Sequence, residues 1–208
     1  SFGLVWMADA MQVLSIGFTA PSIAATFGIA VPQALQTGTW FFVGMLVGAF
    51  AFGRLADRIG RRPVLMMAVV LDACFGVASS FAPDFGWLLV LRFLTGVGVG
   101  GTLPVDYTMM AEFLPCDRRG RWLVLVASFW AVGAIVLAVL ALVAVRWGSD
   151  AWRVIFFATS LPALVGVVLR LYVPESPMFL NRSGKGQQAR AVLERVARTN
   201  GRSGPIPE

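Results

Sequence analysis

Asp9, Gln12, Ser15 and Thr19 follow one another at steps of three, three and four residues inside a run that is otherwise almost wholly apolar. That spacing keeps all four on one helical face. A polar stripe on such a helix is expected to face a water-filled cavity, where a carboxyl group is a chemical candidate for carrying a proton or holding a substrate. The plainer alternative is that Asp9, about 10 Å along the run at 1.5 Å per residue, caps a helix or pairs with a loop arginine near one membrane surface. Arg92 and Asp106 lie 14 residues apart, close to four helical turns and so nearly on one face; they could line the same path, or Arg92 could snorkel or pair locally. Asp72 sits in another apolar run, and a depth count brings it within about 6 Å of the level of Arg92 along the bilayer normal. A buried Asp72–Arg92 pair is therefore the structural expectation, and it would partly neutralise Arg92. Such charges need a reason, because one at the centre of a bilayer costs at least ~2.5 kcal/mol.

A second constellation lies between Phe52 and Val64: Gly53, Arg54, Leu55, Ala56, Asp57, Arg58, Ile59, Gly60, Arg61, Arg62, Pro63. One carboxylate and four guanidiniums cannot sit in hydrocarbon, so the segment is expected to make a tight turn at a membrane face.

The elements that must position these groups follow from composition. Of 208 residues 58% are hydrophobic and 13% charged, against roughly 45–50% apolar usage in a soluble domain. Apolar runs of about 20 residues fall at Phe2–Phe27, Gln36–Gly53, Val64–Phe81, Gly86–Phe113, Trp122–Val145 and Ala151–Val173. Six spans are expected, as an all-α membrane protein with a transmembrane part over 1–173. The first run is too long for a signal peptide and lacks a basic leader; since the chain opens at Ser1, a cytoplasmic segment is expected to precede it. Arginines crowd the loops after spans 2 and 4 (Arg54, Arg58, Arg61, Arg62; Arg118, Arg119, Arg121), while the opposite loops are poor in cations. The inside-positive bias then puts both termini in the cytoplasm and the protein in the cell membrane. A net charge of +6 needs no nucleic-acid partner once this bias and a basic tail are counted. Residues 174–208 read as a cytoplasmic linker, with Ala189, Val192, Leu193 and Val196 as one stripe of a short amphipathic helix and a disordered end from Gly201.

Some chemistries are excluded. The chain has no histidine and two cysteines, Cys74 and Cys116, expected to be far apart and unpaired. No metal site or His relay is expected, and any protonation switch must use Asp or Glu. Gly96-Val97-Gly98-Val99-Gly100-Gly101 fits a dinucleotide-binding string but has no strand before it, so no cofactor is expected. Close helix packing accounts better for this cluster and for Gly44 and Gly48; a bendable helix before Pro104 is the alternative.

Gly53 to Arg62 resembles the loop motif of the major facilitator superfamily, GxLaDrxGrkxxl, placed between spans 2 and 3 as in that family. Leu91-Arg92 with Gly96 to Gly101 resembles its span 4 motif. Glu112 to Pro115 with Arg119-Gly120-Arg121, and Pro174-Glu175-Ser176-Pro177, resemble sugar-porter-like members. Asp9-Ala10-Met11 and Leu103 to Tyr107 are similar to the branch of niacin and other metabolite:proton symporters and synaptic vesicle two-related proteins. The resemblance covers the whole chain but only half of such a transporter. It implies a 3+3 inverted repeat, a substrate held at midplane against a second six-span half, and a gate on the cytoplasmic side built from Gly53, Asp57, Arg58, Gly60, Arg61, Arg62, Glu112, Arg119, Arg121 and, through its loop, Glu175, unless the prolines around Glu175 simply end the sixth helix. Asp9, Gln12, Arg92 and Asp106 are the expected substrate and proton pathway, and in the family the arginine matching Arg92 is implicated in coupling.

The implied function is alternating-access transport, proton-coupled, of a small organic metabolite such as a nicotinate-like carboxylic acid. A sugar is the alternative substrate, and Trp6, Trp40, Trp130 and Phe129 could stack on a planar ring. The partners expected are a small-molecule substrate, protons, the lipid bilayer and a second half or a self-associated copy. A channel or scaffold subunit would also be helical and Gly-rich but would not need Asp57 within this motif. An enzyme would need clustered catalytic groups that are absent from this pattern.

Overall fold

The computed structural model describes residues 2–113, 119–171, 177–182, 184, 186–187, 190–192 and 194. Among the described residues six helices run for 19 to 29 residues each. We label them α1 (Phe2–Phe27), α2 (Gln36–Ile59), α3 (Arg61–Ser79), α4 (Phe85–Phe113), α5 (Arg119–Ala144) and α6 (Ala151–Arg170). Five stretches are long and apolar enough to cross a bilayer, and the last, Gly120–Arg170, contains both α5 and α6. These two helices are parted by a 3-10 turn, Val145–Asp150, in which Gly148 takes φ 57°.

Local chemistry explains the ends. Asp84 Oδ1 accepts the Trp87 backbone N–H at 2.8 Å, an N-cap for α4. The turn between α2 and α3 is tighter than the apolar runs suggested. α2 continues to Ile59 and α3 starts at Arg61, so Arg54, Asp57 and Arg58 are helical and Gly60 alone makes the turn. Its φ of 109° is available to glycine and strained for other residues. Pro63 fits the first turn of α3, where its missing N–H removes no helical hydrogen bond.

α1 packs on α5 and α6, α4 packs on α2 and α3, and α3 packs on α6. Exchanging α1 with α4, α2 with α5 and α3 with α6 leaves this pattern unchanged. The closest approach is between α2 and α4. A Cβ on Gly44 or Gly48 would lie 2.1 Å from the carbonyls of Phe93 and Val97, and one on Gly96 or Gly100 would lie 2.1 Å from those of Phe41 and Met45. Four glycines thus interlock two backbones, which is the small-residue packing expected of both clusters. α4 runs unbroken through them and through Pro104.

α3 and α6 are tied at both ends by crossed caps. Arg62, at the start of α3, donates to the Leu171 carbonyl just past α6 at 2.8 Å. Arg153, at the start of α6, donates to the Ser80 and Ala82 carbonyls just past α3 at 2.9 and 3.3 Å. Each guanidinium meets carbonyls left unpaired at a helix C-terminus.

Large apolar side chains cover the outside, among them Phe42, Leu46 and Phe50 on α2 and Ile135, Val139 and Leu142 on α5. A surface of this kind is solvated by lipid chains rather than water. Inside, one apolar cluster around Phe52, Leu65 and Met109 and another around Ile23, Leu88 and Trp152 lie toward opposite ends of the bundle. Of the expected linker stripe only Val192 is among the described residues; Arg190 reaches Glu194 at 3.7 Å one helical turn on. Ala189, Leu193, Val196 and the segment from Gly201 lie outside the described residues. Cys74 is a free thiol, and Cys116 lies outside the described residues.

Candidate functional site

The polar stripe of α1 is enclosed. Asp9 is 1% exposed, and Gln12, Ser15 and Thr19 are fully buried. The expectation that the stripe faces an open aqueous cavity is therefore corrected: its groups meet α4 and α6 or bond back to α1 itself. Ser15 donates to the Gln12 carbonyl at 2.7 Å and Thr19 to the Ser15 carbonyl at 2.9 Å, which satisfies both hydroxyls locally.

Gln12 is the centre of a hydrogen-bonded chain across three helices. Arg92 Nη2 donates to Gln12 Oε1 at 2.8 Å, and Gln12 Nε2 donates to Ser160 Oγ at 3.0 Å. Gly76 of α3 makes room for this chain, since a Cβ there would lie 2.4 Å from Ser160 Oγ and 2.7 Å from Gln12 Nε2. The Arg92 guanidinium stands 4.2 Å from the Phe156 ring centroid and 5.3 Å from that of Phe41, so aromatic faces offset part of its desolvation. Its Nε and Nη1 have no hydrogen-bond partner among the described residues.

The expected Asp72–Arg92 contact does not form. Both are buried and their charges act on one another, yet among the described residues no ion pair joins them. Arg92 turns its Nη2 to Gln12 instead. Asp9 Oδ2 lies 2.9 Å from Thr102 Oγ1, which is also 2.7 Å from the Val99 carbonyl. One hydroxyl proton serves one acceptor at a time, so Asp9 holds this donor in competition with the backbone. Among the described residues Asp9 Oδ1 and Asp72 Oδ1 have no hydrogen-bond partner.

Asp106 forms an ion pair with Arg170 of α6, both 1% exposed. Arg170 is a site residue that the apolar reading of the sixth span passed over; an arginine between Leu169 and Leu171 was the available signal. Nothing in the sequence flagged Thr102 or Ser160, since isolated hydroxyls are common in helices. Trp6 stands beside Asp106, with its ring centroid 5.2 Å from Tyr107 and 6.5 Å from Trp130. Trp40 packs elsewhere, against Phe93, and Phe129 lies against Gly3.

The motif side chains at the Gly60 end differ in their surroundings among the described residues. Asp57 and Arg58 are exposed, and Asp57 makes no ion pair among the described residues. Arg54 stands over the Phe50 ring at 5.4 Å. Arg61 is half-buried and Arg62 holds the end of α6. Gly53 has open space around it, so among the described residues no packing demand selects glycine there. Arg121 is exposed. Glu112 and Arg119 end and begin helices, but their side chains, like Glu175 as a whole, lie outside the described residues.

A lipid-faced bundle of apolar helices with a sealed network of charge defines a polytopic membrane protein. Residues 16–208 match the family described as Sugar (and other) transporter; the chain belongs to that family, within the major facilitator superfamily, and corresponds to an amino-terminal half. The chain is 35% identical over 204 residues to the synaptic vesicle 2-related protein of Bos taurus, covering 98% of this chain and 37% of that protein. It is 35% identical over 199 residues to organic cation/carnitine transporter 7 of Arabidopsis thaliana, covering 95% of this chain and 39% of that one. The proton:xylose symporter XylE of E. coli, bound to 6-bromo-6-deoxy-D-glucose, superposes with a TM-score of 0.84 at 24% identity, covering 94% of this chain and 48% of XylE. That likeness shows the fold. The chain thus spans less than half the length of each of these relatives, and the family is one of transporters rather than enzymes.

Proposed function

We propose that this chain is the amino-terminal half of a proton-coupled secondary transporter that moves a small organic metabolite, such as a nicotinate-like carboxylic acid, by alternating access. Residues 1–173 cross the cell membrane six times as two inverted three-helix repeats, with both ends cytoplasmic and 174–208 as a linker. The unchanged pairing pattern under exchange of the two helix triplets supports the repeat. A second six-span half, or a self-associated copy, completes the cavity.

One observation carries this reading. Five charged groups are enclosed in apolar helices with hydrogen-bonding capacity left over at Asp9 Oδ1, Asp72 Oδ1, Arg92 Nε and Nη1, and Asp106 Oδ2. Each unsatisfied buried group costs about 1–3 kcal/mol. A purely structural network has no use for such a cost, whereas a site that must accept a proton and an anionic group does. Asp9 is the proton site, Arg92 and Gln12 receive the substrate carboxylate, and Asp106 lies on the same pathway. Because these groups are sealed among the helices of this chain itself, access requires those helices to move relative to one another. Gly53, Asp57, Arg58, Gly60, Arg61, Arg62, Glu112, Arg119, Arg121 and Glu175 form the cytoplasmic latch that closes one side.

The test is uptake by the full-length protein in proteoliposomes under an imposed inward proton gradient, with labelled nicotinate set against other carboxylates and sugars. Saturable, gradient-driven uptake is expected, and Asp9→Asn should lose accumulation. Full accumulation by Asp9→Asn would remove it as the proton site, and an ohmic current would favour a channel. A sugar substrate, suggested by the family description, is decided by the same panel.

A further inference from the structure

We propose that Asp72 of α3 works with Asp9 of α1 as a two-carboxyl site that holds a single transported proton. The inference rests on the proton-coupled reading and adds a residue to it.

Packing brings the two together. Ala8 and Ala73, the neighbours of Asp9 and Asp72, lie in one buried cluster with Ala163. One turn further along each helix, Gln12 Nε2 lies 2.7 Å from the point where Gly76 would carry a Cβ. α1 and α3 therefore run in step through this level. α4 closes the site from the other side: Thr102 meets Asp9, and one turn earlier a Cβ on Gly98 would lie 2.5 Å from the Asp72 backbone nitrogen. The two carboxylates are close enough for their charges to act on one another.

The charged neighbours do not neutralise the pair by contact. α4 contributes Arg92, engaged by Gln12 and stacked on Phe156, and Asp106, paired with Arg170 of α6. α2, the remaining neighbour of α3, carries Arg54, Asp57 and Arg58 only at its exposed end. Among the described residues the fully enclosed charges are three aspartates and two arginines, one negative charge in excess. A single proton brings the set to neutrality, which burial favours. It also turns one acceptor-only carboxylate into a donor. With Asp106 held by Arg170, that proton falls to Asp9 and Asp72, each of which has an oxygen without a partner. On transfer the proton leaves the O–H bond of one carboxyl for water or substrate, and both groups are then anionic until reprotonated.

Infrared difference spectra of the full-length protein in lipid, recorded across a pH titration, read this directly through the C=O stretch of a protonated buried carboxyl. Wild type should show one carboxyl equivalent. Asp9→Asn should lose it, and Asp72→Asn, which equally leaves two enclosed aspartates against two arginines, should lose most of it, any remainder changing in frequency and displaced in its pH course by about one unit or more. Should Asp72→Asn not fold, Asp72→Glu is read for the same change in frequency with the single equivalent kept. An Asp72 variant that keeps the wild-type band and pH course overturns the inference and leaves Asp9 as sole carrier. A wild type without any such band overturns both this inference and the proton-coupled reading.

Discussion

Arg170 and Asp106 form an ion pair across α6 and α4 at a point where each is 1% exposed. Two charges taken out of water together are tolerable, but one alone is not. Arg170→Met should therefore destabilise the protein by about 3–5 kcal/mol. Combining it with Asp106→Leu should recover most of that loss. Denaturant unfolding in detergent checks this, and a single variant as mild as the double would show that the pair is not held as described.

The interlock between α2 and α4 leaves no space for a side chain. Gly48→Leu places a Cβ 2.1 Å from the Val97 carbonyl and should lower stability by more than the ~1–3 kcal/mol typical of overpacking, since backbone rather than side chain must yield. Gly17 is the control. Nothing lies within 4 Å of a Cβ there, so Gly17→Ala should be neutral or stabilising by up to about 1 kcal/mol. Thermal unfolding of the two variants should separate them clearly.

The crossed caps predict damage confined to one end. Arg153→Ala frees the Ser80 and Ala82 carbonyls and should cost about 1–2 kcal/mol, with Arg153 partly exposed. Faster amide exchange should appear where α3 ends and not at Gly60. Arg62→Ala should give the mirror result where α6 ends. Uniform loosening in either variant would count against the caps as separate ties.

Gly60→Ala tests the turn. At φ 109° an alanine is strained, at a cost of about 1–3 kcal/mol. Gly53→Ala, with free space and helical backbone, should leave the folded half unperturbed. Any loss of transport in Gly53→Ala would then point to a contact made by that face beyond the described residues.

Much of the architecture was legible from the residues. The bounds of α1 coincide with the first apolar run and α3 to α6 follow theirs within three residues, while α2 runs six residues past the end of its run; burial in lipid imposes a length and a hydrophobicity that each segment carries alone. The glycine clusters likewise announced close packing. The loop motif was legible as a motif but not as geometry: all five of its charges are helical, because glycine at one position suffices to turn the chain.

The sequence by itself determined the class, the family, the helical faces and the presence of charges that hydrocarbon would not accept. Only the tertiary structure decided which charge meets which. Arg92 goes to Gln12 and not to Asp72, and Asp106 goes to Arg170, a residue 64 positions away. Helical periodicity and hydropathy fix depth and face within one segment, but the partner of a buried charge depends on how neighbouring helices rotate and cross. That is set by the glycine interlock and the crossed caps, contacts between segments that local sequence does not encode.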